Sequence, residues 1–400
     1  MTRCHSHDKL PPILTTTFTE MTHNMNITGR HIETGNAIEV GCVAGRIASL
    51  KSVDVPKTEL AELPWIAPPL FDIQVNGAND IWFSDEKLTV DEVANVLQTF
   101  RQHGVQRLFP TLITNSSEAL CHGFDVIRQA CEQESWINDM VAGCHLEGPF
   151  ISAEDGPRGA HPLQHVRGCD WIEFQKWQQA SGNRIKLVTL APESAGAPEF
   201  IRQFTESGGV CAIGHTSANS HQIAAAVDAG ASLSTHFGNG AHARMPRHPN
   251  YLWDQLAEPQ LWASLITDGH HIPASVVRSV LLAKGQEKVL ITCDSSGLAG
   301  CPPGVYDAAG GQCEVLEDGR VVVAGQREYL AGSGAFTDDC VLGMIHLGGI
   351  SLAEAWAMAS ANPARMFGVR IPRLEVGELA ELVAFHIKDG RCQFITEAEL

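Results

Sequence analysis

The stretch VAGCHLEGPF, residues 141–150, is an apolar run that ends in a charge. Small and apolar residues lead straight into His145 and Glu147, and Gly148-Pro149 stops the run. A run of this length bounded by turn residues reads as a strand covered on both faces. An ionised carboxylate at the end of such a strand is costly unless something positive meets it. The stretch therefore poses two questions at once: what sheet holds the strand, and what Glu147 faces.

The same pattern recurs along the chain. Apolar runs occur as PLFDIQVNG, RLFPTLIT, VAGCHLEG, IKLVTLAPE, GVCAIGHT, ASLSTHF, WASLITDGHH and KVLITCDSS. Between them lie stretches with helical period, such as VDEVANVLQTFRQHG, SHQIAAAVDAG and PASVVRSVLLAKG. Eight alternations of strand and helix predict an α/β fold, a (β/α)₈ TIM-type barrel over residues 67–367. SLAEAWAMASANPARMF, residues 351–367, reads as its last helix.

Both ends of the chain differ from this. Residues 27–66 read as short strands with turns at Gly35-Asn36 and Gly45-Arg46, and the tail from 368 to 400 returns to β character with an Asp-Gly turn. Together they predict a small β-sandwich domain built from both chain ends. Residues 1–26 have neither a basic region nor an apolar block and read as a flexible leader. The net charge of −18 argues against nucleic acid and against an anionic membrane surface as partners. No apolar run reaches the length of a membrane span. Twelve cysteines without a CxxC pair read as reduced thiols, which places the protein in the cytoplasm.

Polar residues sit at the ends of these runs. Glu147 ends the third, His215 the fifth, His236 the sixth and Asp294 the eighth. In a (β/α)₈ barrel those strand ends meet at one face. Two imidazoles and a carboxylate suit a divalent cation, Zn²⁺ first and Fe²⁺ or Co²⁺ as alternatives, with a position left for water. Asp294 is then placed to take a proton from water and return it to a leaving group, as in hydrolysis of an amide. His145 either faces away from Glu147 or supports it. His270 and His271, after Asp268, end another run, while His103, His122, His221 and His346 fall in helical stretches and read as ordinary. GLAGCPPG and LAGSGAF are Gly-rich but lack the P-loop pattern.

At PPLFDIQVNG, HLEGPFIS with GAHP, GHTSANSHQIAAAVDAGAS, STHFGNGA, ITDGHHIPASVVR, ITCDSSGLAG, LAGSGAF and ANPARMFGV the chain resembles the amidohydrolase superfamily. Within it the resemblance is to the branch that deacetylates N-acetylglucosamine 6-phosphate, and it runs from about residue 27 to 390. It implies that Glu147, His215 and His236 bind the metal and that Asp294 is general base and then acid. It further implies substrate contacts from Ala160, His161, Asn239, Gly240, His271, Ala331 and Gly332. Arg247 matches a phosphate-binding arginine reached from the neighbouring subunit of a homodimer, and Arg244 competes for that role. The implied substrate is a small amino-sugar phosphate; the alternative is another N-acylated or cyclic amide. Where many members carry a His-x-His pair for a second metal, this chain has Gln74 and Asn76, so one metal is expected. The segment HFGNGAHARMPRHPNYLWDQLAEP departs from the usual one, which leaves phosphate recognition less determined than deacetylation.

Overall fold

A computed structural model describes residues 25–308 and 311–396. Its centre is one eight-stranded parallel sheet, with strands β1 (Leu70–Val75), β2 (Val105–Ile113), β3 (Cys144–Glu147), β4 (Ile185–Leu190), β5 (Val210–Ile213), β6 (Leu233–Ser234), β7 (Trp262–Leu265) and β8 (Val289–Ile291) in chain order. Each of the eight apolar runs supplies one strand. Beyond β8 the chain returns to β1: Val75 and Ser295 form a parallel bridge, and the Asn76 N–H donates to the Ser295 carbonyl at 3.0 Å. The barrel is thereby nearly closed. Phe71, Ile73, Phe109, Leu187, Ala212, Leu233 and Leu290, drawn from β1, β2, β4, β5, β6 and β8, form one buried cluster. This is the layered filling that makes a barrel a packed core and not a pore.

The helices bury the stripe their period predicts. In the helix Val90–Gln102 the buried residues are Val93, Val96, Leu97 and Phe100, and Thr89 with Glu92 forms a capping box at its start. The helices expected at 220–230 and 273–285 are present as Ser220–Asp228 and Ala274–Lys284. Residues 351–367 are not one helix but two, Leu352–Met358 and Ala361–Phe367. The break has a cause in side chains that bond away from the helix. The Ser360 hydroxyl donates to the Pro69 carbonyl (2.7 Å), and the Asn362 amide to the carbonyls of Gln286 (2.9 Å) and Val289 (2.8 Å). Pro363 supplies no N–H to carry a helix through.

Both chain ends do meet in a six-stranded sheet. Its strands run in the order Arg391–Phe394, Val383–Lys388, Trp65–Ala67, Met25–His31, Ala37–Val43, Arg46–Ser52. Asp389 and Gly390, both with positive φ, make the expected turn. The leader expected over residues 1–26 lies outside the described residues, except that Met25 and Asn26 already pair with Cys42 and Gly41. A four-stranded antiparallel sheet, Gly304–Ala308, Gly311–Val315, Val321–Val323 and Gln326–Leu330, follows β8 and was not foreseen. Leu298, Cys313, Val315, Val321 and Ala331 form its small core.

Asp72 fastens the closing seam. It is fully buried and accepts from the Thr292 hydroxyl, the Cys293 N–H (2.9 Å), the Gln74 N–H (3.0 Å) and the Thr337 hydroxyl (2.7 Å). One carboxylate thus joins β1, the end of β8 and the helix Thr337–Gly348. Asp72→Ala strands these donors at a fully buried position, at about 1–3 kcal/mol for each group left unpaired. The expected outcome is a loss of at least about 3 kcal/mol in urea unfolding, with the variant's midpoint far below that of a surface Asp→Ala control.

Candidate metal centre and active site

The barrel brings Glu147, His215 and His236 together at the C-terminal ends of β3, β5 and β6. Glu147 Oε1 lies 3.2 Å from His215 Nε2 and 2.9 Å from His236 Nε2, and the two Nε2 atoms are 3.1 Å apart. All three residues are buried. His215, His236 and Asp294 have φ of 51°, 28° and 47°. Non-glycine residues seldom adopt this left-handed region, at a cost of about 1–3 kcal/mol each, and it recurs at functional sites. Here it turns each side chain inward just past its strand.

The donor chemistry fits a cation. His215 Nδ1 is 2.8 Å from the Pro157 carbonyl, which can only accept, so Nδ1 carries the proton. In the neutral ring Nε2 is then a bare lone pair aimed at a carboxylate oxygen, an acceptor facing an acceptor. His236 Nδ1 is buried with no hydrogen-bond partner among the described residues. Without a cation the cluster is relieved only by protons on the inward nitrogens. Accordingly, burial draws the His236 imidazole down, but the Glu147 carboxylate outweighs it and raises the ring's pKa. Burial in turn pushes Glu147 up, and the two imidazoles hold it well below the usual carboxylate range. A divalent cation satisfies all three groups at once.

Asp294 completes the mouth from the end of β8. Burial, then the negative charge of Glu147, lifts its carboxyl to about 6. The Asn76 amide donates to Asp294 Oδ1 at 2.8 Å, and the Gln74 amide to Glu147 Oε1 at 2.8 Å. His161 Nδ1 is 2.8 Å from the Thr114 hydroxyl and its Nε2 is 3.8 Å from Glu147 Oε2. Burial, with His215 next to it, drives the His161 ring down to about 3, so it is neutral.

An Amidohydrolase family model matches residues 65–397. The chain belongs to the amidohydrolase family. Among similar proteins, the N-acetylgalactosamine-6-phosphate deacetylase of Escherichia coli O157:H7 is 33% identical over 348 residues, covering 85% of this chain and 88% of that one. The N-acetylglucosamine-6-phosphate deacetylase of Bacillus subtilis (strain 168) is 31% identical over 343 residues, 82% of each chain. A solved mutant of N-acetyl-D-glucosamine-6-phosphate deacetylase from Mycobacterium smegmatis, in complex with N-acetyl-D-glucosamine-6-phosphate, superposes with a TM-score of 0.82 at 26% identity, covering 93% of this chain and 98% of that one.

The other expected residues of this amidohydrolase fall at varied distances from the mouth. Asn239 caps the His236 carbonyl through its side chain (3.2 Å), and Gly240 lies against the His215 ring. Gly332 approaches the Asp294 carbonyl, and Ser333, two residues after Ala331, donates its N–H to that carbonyl at 2.8 Å. His271 Nδ1 is bonded to Asp268 Oδ2 at 2.8 Å; burial raises Asp268, and its bonds to His271 outweigh that and take it down to about 2. Ala160 is exposed. Arg244 and Arg247 are exposed too, and neither guanidinium has an ion pair among the described residues. His145 is not a ligand: its Nε2 bonds the Thr189 hydroxyl at 2.8 Å, and burial lowers it to about 4. His103 is paired with Asp338 at 2.9 Å.

Sequence reading missed Thr114, Pro157, Asp268 and the positive role of Gln74 and Asn76. Asp72, Gln74 and Asn76, alternating in an otherwise apolar strand, were a readable signal; a backbone carbonyl such as that of Pro157 leaves none. His215→Ala and His236→Ala each remove one of three donors, so purified protein should carry far less than one divalent ion per chain by elemental analysis. Gln74→Ala, which leaves all three donors in place, should retain it.

Proposed function

We propose that the protein is a metal-dependent deacetylase that converts N-acetylglucosamine 6-phosphate into glucosamine 6-phosphate and acetate. The observation that carries this reading is the meeting of Glu147, His215, His236 and Asp294 at one barrel mouth. It gains substrate identity from relatives 31–33% identical over more than four fifths of the chain. Because one of these acts by name on the galactosamine compound, the C4 epimer of the same substrate is the second reading.

Glu147, His215 and His236 would hold one divalent cation, Zn²⁺ by preference, since the Gln74 amide presents an N–H and not a ligand towards Glu147. When bound, that ion lowers the pKa of water and polarises an acyl oxygen. Asp294 accepts a proton from the attacking water and delivers it to the leaving amine nitrogen. A carboxyl poised at about 6 suits both transfers near neutrality. The Asn76 N–H fixes one oxygen of Asp294, leaving the other for the proton. His161, neutral and held through Nδ1 by Thr114, turns Nε2 towards the acyl oxygen. Asn239, Gly240, His271, Ala160, Ala331 and Gly332 contact the sugar. Arg247, exposed and without an ion pair among the described residues, reaches the 6-phosphate of a neighbouring subunit in a homodimer. The free state of the eleven cysteines among the described residues supports a cytoplasmic setting. No described helix is long and apolar enough to cross a membrane.

Asp294→Asn should keep its metal yet lose roughly 100- to 10,000-fold in acetate release; a wild-type rate would remove Asp294 from the reaction. A panel of N-acetylglucosamine and N-acetylgalactosamine, each free and as the 6-phosphate, tests the substrate. Preference for the phosphorylated forms should vanish in Arg247→Ala and survive in Arg244→Ala. No phosphate preference in the wild type would point to a different amide.

A further inference from the structure

The loop after β3 and the loop after β6 close on each other around the His215 ring. Pro157, in the first, accepts the His215 Nδ1 proton at 2.8 Å. In the second, a Cβ added at Gly240 would stand 2.7 Å from that same nitrogen, so this backbone lies directly on the ring. The two loops also touch each other: a Cβ at Gly156 would meet the Ala241 carbonyl oxygen and the His242 Cα, each at 3.1 Å.

His242 occupies this junction. Its backbone N–H donates to the Tyr251 hydroxyl (2.8 Å), and that hydroxyl is 3.0 Å from Nδ1. Nε2 lies 3.1 Å from Glu154 Oε2. A carboxylate only accepts, so Nε2 carries the proton and the Tyr251 O–H donates to Nδ1. Every polar atom of the imidazole is then used. Glu154 Oε1 accepts in turn from the Ser217 hydroxyl at 2.8 Å, two residues beyond the metal ligand. Tyr251 is buried and opens the helix Tyr251–Ala257, which gives the relay a rigid footing.

We propose that His242 is a positioning residue for the metal centre, latching the 238–242 loop to the 152–161 loop and so fixing the two backbone walls that aim His215 Nε2. Glu154 is mostly exposed, and an exposed ion pair contributes little energy by itself. The latch therefore acts through geometry, as outer partners of a metal ligand do when they set ring orientation. The inference rests on the metal-binding part of the proposed function and is independent of which sugar is cut.

The test is Zn²⁺ affinity of the full-length protein, by competition with a chromophoric chelator, in the wild type, His242→Ala, His242→Gln and Tyr251→Phe. Outer-sphere changes typically weaken binding by about 10- to 100-fold. His242→Ala should fall by about tenfold, at the lower end of that range. Tyr251→Phe should fall in the same direction. His242→Gln should recover most of the loss, because its amide can accept from Tyr251 and donate to Glu154. Wild-type affinity in a folded His242→Ala protein overturns the proposal. Should that variant fail to fold, wild-type affinity in Tyr251→Phe overturns it equally. A wild-type protein that takes up no Zn²⁺ at all defeats the metal reading itself, an outcome distinct from any difference among variants.

Discussion

The site is organised by one electrostatic constraint: a buried carboxylate, Glu147, with two imidazole nitrogens aimed at the same point. Three electron-pair donors at such distances repel unless positive charge lies among them. The surrounding structure commits the other nitrogen of His215 to a carbonyl, so that ring cannot relieve the conflict without gaining a second proton. The backbone at His215, His236 and Asp294 is held left-handed to present these groups. Strain, burial and crowded lone pairs all act against stability here, and a bound cation offsets all three together.

Strand β1 and the residue after it show how the chain meets the charges at the mouth with amides. Gln74 and Asn76 each give one N–H to a carboxylate of the site, Glu147 and Asp294 in turn. An amide adds a directed partial charge where an imidazole could coordinate a metal. Glu147 and Asp294 can therefore face the same barrel mouth while differing in how readily they give up a proton. Glu147 stays ionised between its imidazoles, whereas burial and the charge of Glu147 lift Asp294 to about 6. Two carboxyls separated in this way by their surroundings are the usual mark of divided roles in acid–base chemistry.

Much of this was legible beforehand. All eight strands announced themselves, because a parallel strand covered on both faces is mostly apolar and a polar residue stands out at its end. Glu147, His215, His236 and Asp294 stood out as candidates for that reason, and the fold brings them to one mouth. The break at Ser360 was not, since it depends on a hydroxyl reaching Pro69, which lies 291 residues away in sequence. The sheet over residues 304–330 escaped because its strands are short and half exposed, with weak alternation. Pro157 and Thr114 act through atoms whose use is decided only by tertiary contact. Arg244 and Arg247 are both exposed on one loop.

The seam between β1 and β8 joins parts of the chain that are made far apart in time. Asn76 comes from just past the first strand of the barrel and Asp294 from just past the last, 218 residues later. On a ribosome the first partner emerges long before the second, and the Asp72 clasp cannot fasten until Thr292, Cys293 and Thr337 have followed. The bond between Asn76 and Asp294 therefore forms only once the ring of strands is shut, so the seam and this part of the mouth are completed together, late in synthesis.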